Sequence, residues 1–449
     1  MSDFIADLQR KTLPAHAQLW PDTATVDANG RLRLAGIDAS APAHEYGTPL
    51  YVFDEATLRG QCQSFRRAFA QRWPESAIAY AGKAYLAPAL CALLAEEGLE
   101  LDTVSAGEFG VALASGYPAA RIHLHGNFKP DAELAAALDA GIGRIVVDSL
   151  DELARVEALA REQGRPAAIW LRLCPDVPTE THAYTQTGHA DSKFGLDVAS
   201  GVADEAAARA IASPWLDLAG LHAHVGSQLF DMRPAAEVVT FLCAFAARLR
   251  DEHGANIREL SPGGGLGVAY ASDKIAPTID EYAEAVTDAL HAAIERHRLA
   301  SPRLIVEPGR AIVARAGVAL YTVGPRKAVP GGTTFVAVDG GMGENPRPAL
   351  YGVRYTAVLA ERMRAPAAET VRIVGRYCES GDVLVEAAEL PVAAPGELLA
   401  IPVSGAYHLP MASNYNLVPR PAVVWVRDGQ ARLARRRETL DDLLRLEQS

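Results

Sequence analysis

The sequence predicts an α/β chain in two parts: a TIM-type (β/α)8 barrel and, after it, an antiparallel β-barrel or sandwich domain. Three observations carry this expectation. Between about residues 77 and 308, eight short apolar or β-branched runs alternate with helical patterns. Nearly every unusual polar residue in that stretch falls at the carboxyl end of one of the runs, where barrel enzymes assemble their sites. After Gly317 the alternation gives way to spaced β-rich segments separated by turns.

Residues 1–45 are turn-rich and β-like, with Asn29-Gly30 as a hairpin turn between Thr23 and Leu34, and are expected to pack with the C-terminal β domain. The barrel is drawn over 46–315 and the β domain over 316–449. The barrel strands are expected at Ala77–Tyr80, Glu100–Val104, Arg121–His125, Arg144–Asp148, Ala168–Leu173, Leu218–His224, Ile257–Ser261 and Leu304–Glu307. Between them, Ser105 to Glu108 and Ser149 to Glu152 read as capping boxes, and Gly98, Gly141 and Gly164 as helix stops. An open doubly wound sheet would show the same alternation. The polar residues favour closure: Lys83, Asp102 with Ser105, His125 with Asn127, Asp148, Arg172, His224 with Ser227, Gly263–Gly265, and Glu307 with Arg310 all stand at strand ends. In the β domain, strands are expected at Phe335–Asp339, Thr370–Val374, Leu398–Pro402 and Ala422–Val426.

A chain of 449 residues exceeds what one hydrophobic core supports. A net charge of −12 argues against nucleic acid or an anionic membrane as the main partner, which leaves a small-molecule ligand. The first residues lack the basic and apolar regions of a secretory signal, and no run approaches the roughly 18 apolar residues of a membrane span, so a cytoplasmic chain is expected. The five cysteines (Cys62, Cys91, Cys174, Cys243, Cys378) are scattered, never in a C-x-x-C spacing, and indicate neither a disulfide framework nor zinc.

Lys83 closes the apolar run from Ser76 to Ala81. A desolvated lysine there is either a satisfied structural charge or a reactive amine. Gly263, Gly264 and Gly265 free the backbone to approach an anion, in the position where barrels hold phosphate. Glu307-Pro308-Gly309-Arg310 supplies a carboxylate, a rigid turn and a guanidinium that forks onto phosphate or carboxylate; a structural Glu–Arg pair is the alternative. His222 and His224, two apart on one strand face, invite a zinc reading but lack a third ligand at a plausible spacing, and stacking against a flat ring fits better. An amine, an anion cradle, a ring-nitrogen carboxylate and a stacking partner together describe pyridoxal 5′-phosphate.

From about Tyr46 to Val426 the chain resembles the fold-type III pyridoxal-phosphate decarboxylases, with their alanine racemase-like barrel, and within them the diaminopimelate decarboxylase family. The stretches that carry the resemblance are Tyr80-Ala81-Gly82-Lys83-Ala84, His224-Val225-Gly226-Ser227-Gln228, Glu307-Pro308-Gly309-Arg310, Asn345 to Tyr351, Cys378-Glu379-Ser380-Gly381-Asp382 and Ser413-Asn414-Tyr415-Asn416. It implies that Lys83 carries the cofactor, His224 stacks on it and Glu307 pairs with its ring nitrogen, while Ser227, Gly263–Gly265, Pro308, Gly309, Arg310 and Tyr407 complete the cofactor site. It further implies that Arg310, Arg347, Tyr351, Glu379 and Tyr407 hold the substrate. Cys378 would donate a proton across a homodimer interface into the partner's site. The activity implied is decarboxylation of meso-2,6-diaminopimelate to L-lysine. A sibling decarboxylase acting on ornithine, lysine, arginine or a carrier-bound amino acid is the alternative; Glu307 speaks against a racemase, and the long β domain against a non-catalytic cofactor binder. Tyr85, Phe128 after Asn127, and Arg376 depart from the family pattern, the first two near the expected site mouth.

Overall fold

The computed structural model describes residues 17–175 and 193–448, so the first 16 residues of the expected N-terminal segment lie outside the described residues. Two compact units result. A barrel unit comprises Cys62–Gly267 with Ala276–Ala311, and a β unit comprises the chain through Gln61, Val268–Ile275, and the residues from Ile312 onward.

In the β unit, β1 (Thr25–Val26), β2 (Leu32–Leu34) and β3 (Ile37–Asp38) form a small antiparallel sheet. The turn falls at Asn29-Gly30: the Asn29 N–H donates to Asp27 Oδ1 at 2.9 Å and Gly30 takes φ +79°, closing a three-residue loop. The Leu32 N–H donates to Ala360 O and the Met363 N–H to Gly30 O, which ties this sheet to the later strands. Next comes β4 (Leu50–Asp54), buried at every position. The sequence reading drew the barrel from residue 46, but β4 hydrogen-bonds with strands of the β unit, because a fully apolar strand needs partners on both edges and finds them there.

The barrel is built from β5 (Ser76–Ala81), β6 (Glu100–Thr103), β7 (Ile122–Leu124), β8 (Arg144–Val147), β9 (Ala167–Cys174), β11 (Leu216–His222), β12 (Glu259–Gly263) and β13 (Arg303–Val306), with the two-residue β10 (Leu196–Asp197) beside β9. All pairings are parallel, and β13 pairs with β5, so the sheet closes. Each of the eight strands lies within two residues of its expected bounds. Ala79, Val146, Trp170, Ala219 and Ile305 form a buried interior layer. Below it, at the amino ends of the strands, Arg144 forks onto Glu259 with two 2.7 Å bonds, Trp170 Nε1–H donates to the same carboxylate at 2.7 Å, and Glu100 pairs with His123 (3.0 Å) and Arg303. That network floors the barrel.

The expected helix starts at Ser105 and Ser149 are present, each hydroxyl accepting the N–H three residues on at 3.2 Å. Their glutamates reach one residue further back than a capping box requires: Glu108 to the Val104 N–H (2.7 Å) and Glu152 to the Asp148 N–H (2.9 Å). Glu152 is held there by the buried Lys129 ammonium at 2.5 Å.

The main sheet of the β unit contains β14 (Gly317–Ala328), β15 (Thr334–Val338), β16 (Val358–Leu359), β17 (Glu369–Val374), β18 (Val383–Leu390), β19 (Leu398–Ile401), β20 (Ala422–Arg427) and β21 (Gln430–Arg435). It is not purely antiparallel as expected, since β20 runs parallel to β4 and β17 parallel to β15. A parallel pair requires a long crossover, and the segment from Asp339 to Ala368 that supplies one carries the Arg347 helix. Among the described residues no helix is long and apolar enough to cross a membrane.

Candidate active site

At the carboxyl end of the barrel, Ala81 closes β5 with its N–H donating to Pro308 O at 3.1 Å, which draws the Lys83 turn against the turn that follows β13. Gly82 is required there, because a Cβ would sit 2.9 Å from Asp102 O. Lys83 follows in a single 3-10 turn, Gly82–Ala84. Its side chain is exposed, which corrects the expectation of a desolvated lysine: one turn beyond the strand end the chain opens to the mouth of the barrel. The ammonium still acts electrostatically on Asp102, Glu108, His222 and His224.

Glu307, buried at the end of β13, is the centre of the polar cluster. Ser261 Oγ donates to its Oε1 at 2.8 Å, and His222, as the Nε2–H tautomer, donates to Oε2 at 3.1 Å. His125 Nε2 lies 3.6 Å from Glu307 Oε1 and equally 3.6 Å from Asp102 Oδ1. Burial by itself would raise both carboxyls. For Glu307 the flanking His222 and His125 and the bonds from His222 and Ser261 outweigh it and hold the group well below the usual range; Asp102, buried beside the Glu307 charge, is pushed well above. Of the two, Glu307 is the one that gives up its proton first. His123, His125 and Glu307 place ligand atoms within 4.8 Å of one another, yet His123 Nε2 is taken by Glu100 and Glu307 by His222 and Ser261.

The loops after β11, β12 and β13 interlock through glycine. A Cβ at Gly263 would stand 2.6 Å from the half-buried His224 ring, one at Gly264 would overlap the Glu307 carbonyl, and one at Gly265 (φ +111°) would stand 2.6 Å from Gly226 O. A Cβ at Gly309 would meet both Ala81 and Ala84 at 3.0 Å. Arg310 is buried and donates to Ser227 Oγ at 2.9 Å. The result is a bare-backbone surface with a guanidinium and a hydroxyl on it and an ionised buried carboxylate beneath. This donor set fits pyridoxal phosphate: an anion cradle, an acceptor for a protonated ring nitrogen, and an amine at the mouth. Lys83, His224, Ser227, Gly263–Gly265, Glu307, Pro308, Gly309 and Arg310 all belong to this one end of the barrel. Tyr85 is buried, its carbonyl accepting the Tyr80 hydroxyl at 2.8 Å, whereas Phe128 is exposed.

The β unit carries a second buried cluster. Arg347 opens the short helix Arg347–Tyr351 and lies between the Tyr270 and Tyr407 rings, 4.8 and 5.8 Å from their centroids. Its Nη1 donates to the Tyr355 hydroxyl (2.8 Å), which donates to His408 Nε2 (2.7 Å), whose Nδ1 faces the Tyr51 hydroxyl (3.0 Å). Among the described residues no carboxylate forms an ion pair with Arg347. A buried guanidinium met only by hydroxyls and rings is poised for an external anion. Tyr407 reaches it from a left-handed backbone, φ +61°. Tyr351 is half-buried at the end of the helix. Cys378 and Glu379 lie elsewhere, on the exposed loop between β17 and β18; the other four cysteines are buried.

Sequence reasoning missed Ser261 and the pairing of His222 with Glu307, and in the β unit Tyr270, Tyr355, His408 and Glu344. Ser261 was detectable as a hydroxyl inside an apolar strand next to the glycine run. The β-unit residues come from three separate segments, and nothing local joins them.

Residues 55–314 match the pyridoxal-dependent decarboxylase family at its pyridoxal binding domain. A diaminopimelate decarboxylase of Bacillus subtilis (strain 168) is 42% identical over 425 residues, covering 95% of this chain and 97% of the relative. One from Actinosynnema pretiosum subsp. auranticum is 46% identical over 434 residues, covering 96% and 95%. Among solved structures, diaminopimelate decarboxylase from M. jannaschii in complex with L-lysine superposes with a TM-score of 0.88 at 36% identity, covering 94% of this chain and 97% of that one.

Proposed function

This chain belongs to the pyridoxal-dependent decarboxylases and, within them, to the diaminopimelate decarboxylases, and we propose on that footing that it converts meso-2,6-diaminopimelate to L-lysine and CO2 with pyridoxal 5′-phosphate as cofactor. The observation that carries the choice of substrate is the buried Arg347, a guanidinium without a carboxylate partner among the described residues. It suits the second carboxylate of a diamino diacid and repels the distal ammonium of a diamine precursor.

Bound pyridoxal phosphate supplies an electron sink beside the carbon that loses CO2. The chain's residues then divide the remaining work. Lys83 provides the amine that holds the cofactor, and Glu307 keeps a ring nitrogen protonated. His224 would pack against the cofactor ring. Ser227, Gly263–Gly265, Gly309 and Arg310 surround the phosphate, with Pro308 fixing the turn. Arg347, Tyr351, Glu379 and Tyr407 bind the substrate together with Arg310. Cys378 returns a proton to the carbon vacated by CO2. A homodimer suits this scheme: Cys378 is the one exposed cysteine, and beside it Tyr415 (40% exposed) and Leu417 (75% exposed) form an apolar patch that a second copy would cover. A cytoplasmic location follows from the same reading.

The test is direct. Cofactor-loaded protein should release CO2 from meso-diaminopimelate and form L-lysine, and Lys83→Ala should abolish both. Arg347→Ala should lower kcat/KM by about 100-fold, the effect expected on leaving a buried charge unpaired. Absence of turnover by the loaded wild type would sink the assignment.

A further inference from the structure

The loop between β17 and β18 presents Cys378 by its backbone. The Cys378 N–H donates to Asn416 Oδ1 at 2.9 Å, and its carbonyl accepts the Tyr415 hydroxyl at 3.3 Å. Asn416 and Leu417 both adopt left-handed φ values, +53° and +54°, which L residues rarely take without surrounding support. That support arrives through Tyr377. Its ring stacks on Tyr415 at 6.0 Å and 15°, its N–H donates to Asp382 Oδ2 at 2.8 Å, and its hydroxyl passes inward to donate to Glu344 Oε2 at 3.0 Å.

Glu344 is buried, and its other oxygen accepts the Gly341 N–H at 2.5 Å. The surrounding backbone is cut to fit these side chains. A Cβ at Gly340 would overlap Glu344 Oε1, one at Gly343 the Tyr377 hydroxyl, and one at Gly341 or Gly375 the Asp382 carboxylate. Three residues after Glu344 the Arg347 helix begins. A buried carboxylate is costly, and among the described residues Glu344 forms no ion pair; the Asp382 carboxylate pushes its proton affinity up further, and its charge is felt by Arg437. Neither the substrate anchor nor the proton donor needs this carboxyl for chemistry.

We propose that Glu344 and Tyr377 are positioning residues whose hydrogen bond fixes the Cys378 loop to the segment that starts the Arg347 helix, so that one buried contact sets both proton donor and substrate anchor. The inference rests on the reading of Cys378 as the proton donor. With the donor correctly placed, each CO2 lost is matched by one proton delivered to the same carbon and one lysine formed. With it misplaced, the electron pair left by CO2 would take its proton on the cofactor instead, and water would then release the carbon skeleton as an amino-acid aldehyde with the amine left on the cofactor, so that CO2 exceeds lysine by the aldehyde formed.

The experiment uses the loaded holoenzyme of wild type, Glu344→Gln, Tyr377→Phe and Cys378→Ala, and measures lysine formed per CO2 released, thermal midpoint, and the rate of iodoacetamide labelling, which follows Cys378 because the other cysteines are buried. Glu344→Gln keeps an oxygen for the Gly341 N–H and so retains the fold. Both positioning variants are expected to drop the ratio below wild type, with lysine formation slowed roughly ten- to hundredfold, the effect of a displacement of about 1 Å. A wild-type ratio in either folded variant overturns the proposal, as does loss of the fold in both, since the contact would then be structural. If Cys378→Ala itself forms lysine as wild type does, the donor reading fails; the labelling rate, expected to change roughly threefold or more in the two positioning variants, then still decides whether the contact holds the loop.

Discussion

Burial pushes the Glu344 carboxyl up to about 7, against the opposing bonds from the Gly341 N–H and the Tyr377 hydroxyl, while Glu307, equally buried, is held ionised by its donors. The first shift has a sign that can be measured. Below pH 4.5 the group is neutral in the folded and unfolded chain alike; above it the unfolded chain ionises first, so stability falls as pH rises from about 4.5 to 7. The loss should reach about 3 kcal/mol. Urea unfolding of wild type and Glu344→Gln at pH 5, 6, 7 and 8 isolates it, and a difference that stays constant with pH would refute it. For Glu307 the expected outcome concerns rate: Glu307→Gln should keep the cofactor, visible by its absorbance, while kcat falls on the order of 10²- to 10³-fold, as for other lost charge-stabilising groups.

The three glycine loops that follow β11, β12 and β13 act as one element, because each backbone occupies the space a neighbouring Cβ would need. Gly264→Ala would drive a methyl into the Glu307 carbonyl, and overpacking of this kind costs about 1–3 kcal/mol. The thermal midpoint should drop and cofactor affinity weaken together in equilibrium dialysis; unchanged affinity would remove the cradle from the binding site. Much of this end of the barrel was legible in the sequence, since strand ends, glycines and lone polar residues are local signals. Lys83, His224, Glu307 and Arg310 are found that way. The parallel pairings of β4 with β20 and β15 with β17 were not, because register between strands hundreds of residues apart, or across a long crossover, leaves no local periodicity. Glu344 was invisible for a related reason: nothing in Gly343-Glu344-Asn345 announces that the carboxyl is buried against Tyr377.

For the whole molecule, the proposed shared site makes an arithmetical prediction. Lys83→Ala and Cys378→Ala homodimers should both be nearly inactive in lysine formation. Unfolded together and refolded at equal ratio, they give half heterodimers, each with one intact and one doubly defective site, so about one quarter of wild-type activity should return. No recovery would mean that Cys378 serves the site of its own chain. Leu417→Asp should shift the protein toward monomer in sedimentation, by placing a charge in the exposed apolar patch beside Cys378.

The placement of β4 bears on how the chain is made. This strand is among the earlier parts of the described chain to leave the ribosome, yet its partners, β14 and β20, follow the entire barrel in sequence. At about 5–20 residues per second, the apolar Leu50-Tyr51-Val52-Phe53 waits on the order of tens of seconds for a neighbour. During synthesis the barrel can close before the unit that precedes it is complete, leaving an unpaired greasy edge on the nascent chain. Chaperone capture and slow expression are therefore concentrated on this strand, and substitutions at Leu50, Val52 or Phe53, as opposed to Tyr51 whose hydroxyl faces His408, would change yield before they changed turnover.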